Sequence, residues 1–367
     1  GASTPTLTAA PDELIGIAEG VGATGTGVLQ VVSDFLDPAD EFATLRTMVE
    51  RSGRPMSISI ARNPMVPDAF RGLLDQITRA NADGLTMTGQ VAPRAVGLIL
   101  GLECTLNPFL TNPVHREIAD LPLAERVAAL RDGEIRSRLL AEATERSRDK
   151  LGGNLISRFD LLFEMGDEPD YEPSLDTSIA AVATRRGVTP EEVALDVMLA
   201  DDGHGLIYLP FLNYVDGNLD GCHEMLTHPH TVPGLADGGA HVGTICDGSF
   251  PTTLLTYWGR DRDHDRIPLP FLVKRHCRDT ARTVGLLDRG VIAPGYRADL
   301  NVVDFDRLRL HKPTIVHDLP AKGRRLLQRA EGWRHTIVAG QETDHDGTAT
   351  DALPGRLIRG AQPAPKG

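Results

Sequence analysis

VLQVVS (residues 28–33), MSISI (56–60) and LTMTGQV (85–91) are three short β-rich runs. Between them, DEFATLRTMVERS (40–52) and PDAFRGLLDQITRAN (67–81) carry apolar residues at three- and four-residue spacing. Strand and helix alternating at this pitch, with a turn-forming Gly or Pro just before each strand, predict βαβ units and a parallel sheet. The first and third runs are mostly apolar on both faces, as strands buried in such a sheet should be. LIYL (206–209) and VPGLA (232–236) extend the count to five predicted parallel strands, the last ending at Asp237.

From about residue 97 to 185 the rhythm breaks. LAERVAALRDGEIRSRLLAEATERSR (123–148) reads as one or two solvated, salt-bridge-laced helices, so residues 97–200 are expected to be a helical insertion on the main domain. In TPEEVALDVML (189–199), Thr189 stands as an N-cap, Pro190 at the first helical position and Glu192 three residues after the cap, which starts a helix. The last third is β-like. GVIAPGYRADLNVVDF (290–305) reads as a hairpin around a Pro-Gly turn, and RHTIVAGQET (334–343) as strand, turn, strand.

Of the residues, 41% are hydrophobic and 24% charged, and 38 Lys+Arg against 51 Asp+Glu give a net charge of −13. That balance, without a dense basic tract, argues against nucleic acid or an anionic membrane as partner and for a small-molecule substrate. No apolar run approaches the roughly 20 residues of a membrane span. Cys104, Cys222, Cys246 and Cys277 form no CxxC pair, which fits four buried free thiols in a reducing cytoplasm.

The densest polar cluster is GLADGGAHVGTICD (234–247). An acidic residue at the end of an apolar strand, followed by two glycines, puts a carboxylate at the carboxyl end of a parallel sheet, where α/β folds place reactive groups. Asp237 is therefore the candidate general base or metal ligand, with N-capping or an Asx turn as the bland alternative. His241 follows on the same loop. His228 and His230 form an HxH pair, but Pro229 between them favours a turn over a ligand-presenting strand. Arg94, His204, Asn213 and Tyr214 each flank a predicted strand. Phosphate-binding glycine motifs and the GxSxG elbow are absent.

GLLDRGVIAPGYRADLNVVD (285–304) strongly resembles the segment that closes the barrel and enters the β-sandwich in the metal-dependent amidohydrolase superfamily. With GLADGGAHVG (234–243), HDLPAKGRRLLQRAEGWRHTIVAGQ (317–341) and PGRLIRG (354–360), the chain is similar to the N-acyl-D-amino-acid deacylase branch. The similarity reaches back, more weakly, through QVAPRAVGLILGLECTLNPF (90–109) to TPTLTA (4–9).

The resemblance implies an α/β fold: a TIM-type β/α barrel over residues 1–285 and a small carboxyl-terminal β-sandwich over 286–367. It implies one or two divalent metals, usually zinc, whose bound water attacks an amide carbonyl, with Asp237 matching the aspartate that carries the proton. The substrate is then an N-acyl amino acid, and Arg94 or the main-chain N–H of Gly238 is expected to receive its carboxylate, with Asn213 and Tyr214 beside it. A cyclic-amide hydrolase of the hydantoinase type and a metal-free scaffold are the alternatives.

The chain departs from the pattern in its histidines. No predicted strand carries HxH, and VLQVVSD and MSISIARNP contain no histidine, leaving Gln30 and Asp34 as the nearest polar candidates. Five strands also fall short of the eight that close a barrel. An amino-terminal segment completing the barrel is therefore an expected partner, and a homo-oligomer is allowed.

Overall fold

The computed structural model describes residues 8–33, 35, 37–142, 155–234 and 238–366. Strands β1 (Leu29–Val31), β2 (Met56–Ile60) and β3 (Met87–Val91), joined later by β7 (Thr231–Pro233), form a parallel sheet in the order β1-β2-β3-β7. Helix α1 (Pro11–Gly22) precedes it and packs on α2 (Pro38–Ser52), which links β1 to β2; α3 (Ala69–Ala82) links β2 to β3. The start of α2 is set locally: the Asp37 carboxylate accepts from the Asp40 N–H at 3.2 Å, Pro38 opens the first turn, and Gly53 at φ 62° ends the helix.

The apolar spacing read from the sequence does the packing. Phe42, Leu45 and Val49 of α2 and Phe70, Leu73, Leu74 and Ile77 of α3 join Met56, Ile58, Ile60, Met87 and Val91 in one core. Side chains alternate along a strand, so the opposite face carries Gln30, Ser57, Ser59, Thr88 and Gln90. Register confirms the common face, since Gln30 pairs with Ser57 and Ser57 with Thr88, while Ser59 pairs with Gln90. The expectation of strands apolar on both faces is thus corrected. The sheet is apolar toward its helices and polar on the other side.

Between β3 and β7 the chain builds a second body. β4 (Val96–Leu100), β5 (Phe163–Glu164) and β6 (Ile207–Leu212) form an antiparallel sheet in the order β4-β6-β5. Around it lie α4 (Pro113–Ile118), α5 (Leu123–Arg131), α6 (Gly133–Glu142), α7 (Ile179–Arg186) and α8 (Pro190–Leu199), with their own hydrophobic core. The charge-rich stretch is two helices within its described residues, and the Thr189–Glu192 capping box forms in both directions.

The predicted parallel strand at 206–209 is corrected here. It is β6, antiparallel to β4. Its run is buried on both faces because Ile207 and Leu209 enter the helical core while Tyr208 enters the main one, a pattern that apolarity alone does not separate from a parallel strand.

After α9 (Asp220–Thr227) and β7, helix α10 (Phe250–Thr256) leads toward the carboxyl-terminal third, which is antiparallel β. β8 (Leu300–Val303), β13 (Trp333–Val338), β14 (Gln341–His345) and β15 (Thr348–Ala349) form one sheet in the order β15-β14-β13-β8. β9 (Arg309–Leu310) pairs with β12 (Ala330–Glu331), and β10 (Thr314–Leu319) with β11 (Gly323–Leu327). The β13–β14 hairpin turns on Ala339 and Gly340, both at positive φ, the backbone a two-residue primed turn requires.

The hairpin expected at 290–305 does not form. Its second run is β8, paired with β13, while the preceding residues turn back so that the Arg297 N–H reaches the Asp288 carbonyl at 2.8 Å. Among the described residues, four parallel strands are present and the sheet is open. No helix among them is long and apolar enough to cross a membrane. Cys104 and Cys222 are buried and Cys246 half-buried, but Cys277 is exposed, which corrects the expectation for that thiol.

Candidate active site

At the carboxyl edge of the parallel sheet, β1 runs into Ser33, β2 into Arg62 and Asn63, β3 into Arg94, and β7 into Gly234. Asp237 and Asp34, both expected at this edge, lie outside the described residues. A cavity of about 290 Å³ opens beside the ends of β1 and β2. Ser33, Ser59, Asn63 and Asp247 supply its polar lining, and Phe35, Phe70, Val96 and Leu212 are among its apolar walls.

The polar face of the sheet runs up to this edge. Gln90 Nε2 donates to Ser57 Oγ at 2.6 Å, and Gln30 Nε2 reaches Gln90 Oε1 at 3.5 Å. Ser59 is 8% exposed, and its hydroxyl has no hydrogen-bond partner. A buried hydroxyl left unpaired costs about 1–3 kcal/mol, and such groups concentrate where ligands bind. A residue larger than glycine at 234 would meet the Gln90 side chain at 3.1–3.2 Å, so the chain leaves β7 directly over this face.

Arg94 is 2% exposed. Its guanidinium donates to Asp247 Oδ1 at 3.1 Å, to the Cys246 carbonyl at 3.0 Å, to Ser249 Oγ at 3.1 Å and to Thr253 Oγ1 at 3.2 Å. It also lies 3.6 Å from the centre of the Tyr171 ring. Burial works against its charge, but Tyr171 and Asp247 outweigh that and hold its pKa above the ordinary arginine value. Arg94 therefore directs its charge into the protein, tying the loop after β3 to residues 246–253, and of its nitrogens only Nε has no acceptor.

Asn213 and Tyr214 are equally enclosed. Asn213 is fully buried in the left-handed region at φ 67°, which Asn tolerates. Its Oδ1 accepts from the Arg62 N–H at 2.8 Å and its Nδ2 donates to the carbonyls of Ala92 and Arg94 at 3.4 and 3.2 Å, stapling the ends of β2 and β3. Tyr214 donates to the Pro173 carbonyl and stacks edge-on to Phe163 at 5.9 Å. Trp258 Nε1 adds a hydrogen bond to the Pro93 carbonyl at 2.6 Å. Arg94 and Asn213, both expected beside the substrate, lie against each other here, with Asn213 Nδ2 holding the Arg94 carbonyl.

Gly238 and His241 are exposed on the loop after β7. The loop is anchored further on, where Thr105 N–H donates to the Gly243 carbonyl at 2.8 Å and Ile99 N–H to the Thr244 carbonyl at 2.8 Å. A Cβ at 243 would come within 2.3 Å of Thr105 Oγ1, so a larger residue there would make the Thr105 hydroxyl turn away. His228 and His230 precede β7, at the amino end of the sheet and away from this edge. His204 pairs with Glu103 at 3.3 Å beside a separate cavity.

A divalent ion of the zinc type needs three or four converging nitrogen, sulfur or oxygen ligands. Among the described residues this edge offers the His241 imidazole, the Glu41 carboxylate that accepts from Ser33 Oγ, and an Asp247 carboxylate already paired with Arg94, and these do not converge as a group of three. Groups of three His, Cys, Asp or Glu that converge occur at two other places, His335–Glu342–His345 and Asp220–His264–Asp265. The described residues at the carboxyl edge thus do not fit a metal cage. Asp247 and Ser59 are the site residues that sequence reading missed. The signals were the Ser-Ile-Ser alternation of MSISI and the acid closing the 234–247 cluster.

With this geometry in hand, comparison with known proteins adds the following. The model of the Amidohydrolase family matches residues 2–344. Over 86 residues the chain is 34% identical to a 5-methylthioadenosine/S-adenosylhomocysteine deaminase of Desulfitobacterium hafniense strain DSM 10664 / DCB-2, covering 21% of this chain and 20% of that protein. The same protein from strain Y51 matches equally. Among solved structures, a D-aminoacylase studied for its binuclear metal centre superposes with a TM-score of 0.53 at 17% identity, covering 95% of this chain and 59% of the other. A D-aminoacylase mutant in complex with copper chloride gives 0.54 at 16%, covering 97% and 60%. At these identities the likeness is one of fold. The chain spans about a fifth of the curated relatives and about three fifths of the D-aminoacylase chains.

Proposed function

The chain belongs to the amidohydrolase family, and on that premise we propose that it hydrolyses the amide bond of an N-acylated amino acid, D-configured by likeness to D-aminoacylase, at the carboxyl edge of the parallel sheet. One observation carries the reading: Gly234, where the chain leaves β7, lies against Gln90 on a polar sheet face that includes the unpaired buried hydroxyl of Ser59, and Asp247 lines the adjoining cavity.

In this proposal water adds to the amide carbonyl carbon and the carbon–nitrogen bond breaks. Asp237 takes the proton of the attacking water and returns a proton to the leaving amine, giving a carboxylic acid and a free amino acid. Proton transfer of this kind supplies about 10²–10⁴ in rate. The main-chain N–H of Gly238, on an exposed loop, receives the substrate carboxylate. Arg94, Asn213 and Tyr214 are positioning residues that fix the loop after β3 and, through Arg94, Asp247. Asp237, with His241 four residues further along the chain, is what this chain is proposed to offer a divalent ion such as zinc, and further ligands would come from an amino-terminal segment pairing with the open sheet.

The test is release of free amino acid from N-acetyl-D- and N-acetyl-L-amino acids, run beside hydantoins and 5-methylthioadenosine. Turnover of the D-acyl substrates is expected. Ring opening of hydantoins, or ammonia from the adenosine compound, with no acyl-amide cleavage would replace this reading.

A further inference from the structure

The β13–β14 hairpin holds a polar cluster that the carboxyl-edge site does not use. His335 on β13 stands directly opposite His345 on β14 in antiparallel register, with the two rings edge-to-face at 4.7 Å. Glu342 lies three residues before His345, and in a regular strand residues three apart face opposite sides. Here the register steps. Thr336 faces Asp344 while Ile337 faces Glu342, leaving Thr343 as an extra residue. A bulge of this kind re-aims the neighbouring side chain. It brings Glu342 Oε1 to 2.6 Å from His335 Nδ1 and 2.9 Å from His345 Nδ1. On the far side of His345, Asp346 Oδ2 lies 3.6 Å from Nε2 and is itself held by Arg334 across β13 at 3.1 Å.

We propose that this hairpin binds one divalent transition-metal ion of the zinc or copper type, with His335 Nδ1, His345 Nδ1 and Glu342 as ligands and Asp346 orienting His345. Two imidazoles and one carboxylate suit these ions, whereas calcium and magnesium take oxygen sets. A histidine ligand characteristically gives its second ring N–H to a carboxylate, and Asp346, 3.6 Å from His345 Nε2, is the carboxylate placed to take that proton once the ion fixes the ring.

Bonds of about 2.0–2.1 Å in a tetrahedron place ligand atoms roughly 3.3 Å apart. The two Glu342–histidine separations, 2.6 and 2.9 Å, need to open by less than about 1 Å, and the three ligand atoms already lie within 4.8 Å of one another, a small adjustment for side chains that are 35%, 41% and 55% exposed. The fourth position faces water, and the ion ties β13 to β14. The other convergent cluster, around Asp220, lacks this character because the Arg262 guanidinium already sits 2.5 Å from the Asp220 carboxylate.

Zinc titration of the chelator-treated full chain by calorimetry tests the site, with cobalt as a spectroscopic probe of tetrahedral nitrogen and oxygen coordination. The hairpin ion is expected to bind in wild type and equally in Asp237→Asn. It should be lost in the double variant His335→Ala/His345→Ala and weakened about 10–100-fold in Asp346→Asn, where every ligand remains. Circular dichroism confirms that each variant folds, and Glu342→Gln gives an independent ligand deletion. Wild-type protein that takes up no zinc, or a double variant that binds it unchanged, would overturn the proposal.

Discussion

Arg94 and Asp247 form the most enclosed ion pair beside the proposed site, with side chains 2% and 7% exposed. Removing one partner of a buried pair leaves the other charge uncompensated, which costs about 3–5 kcal/mol. Arg94→Ala should therefore lower the urea midpoint strongly, and Arg94→Lys should recover only part, because an ammonium does not reach four separate acceptors in a planar fork. Ser59 is the opposite case. Its hydroxyl already lacks a partner, so Ser59→Ala is expected to leave the urea midpoint unchanged or raised, while substrate affinity falls if the cavity binds substrate as proposed. Arg94 was visible in the sequence as a charged residue following a strand, but its direction was not. Four acceptors drawn from residues 246–253 decide that direction, and no local pattern announces them.

At the scale of elements, helix α4 carries a built-in sensitivity to acid. His115 is 3% exposed, and neither ring nitrogen has a partner. Burial, assisted by Arg126, lowers its pKa from 6.5 to about 4. The folded state therefore binds fewer protons than the unfolded chain between those values. Its contribution is intact above pH 6.5 and is lost as pH falls toward 4, about 3 kcal/mol in all. Urea titrations at pH 7 and pH 4.5 should show that loss, and His115→Leu should flatten it. Elements were legible from the apolar period in α2 and α3 and from the cap in the Thr189 box. They were misread where burial has two sources. β6 is apolar because two cores flank it, and β8 found its partner in β13, some thirty residues on, rather than across the nearby Pro-Gly turn.

On the scale of the whole molecule, the parallel βαβ unit, the inserted helical body and the antiparallel last third follow the order in which the sequence changes character. The second face of the sheet does not follow from apolar counting. Gln30, Ser57, Ser59, Thr88 and Gln90 line a surface that a purely structural parallel sheet would fill with aliphatic side chains. The proposed chemistry lies at the end of this face, where the chain leaves β7 at Gly234. The most direct test is hydrolysis of an N-acetyl-D-amino acid by wild type and by Asp237→Asn, with folding of both checked by circular dichroism. A loss of about 10²–10⁴ in kcat is expected for the variant at unchanged stability. Equal turnover by the two proteins would contradict it.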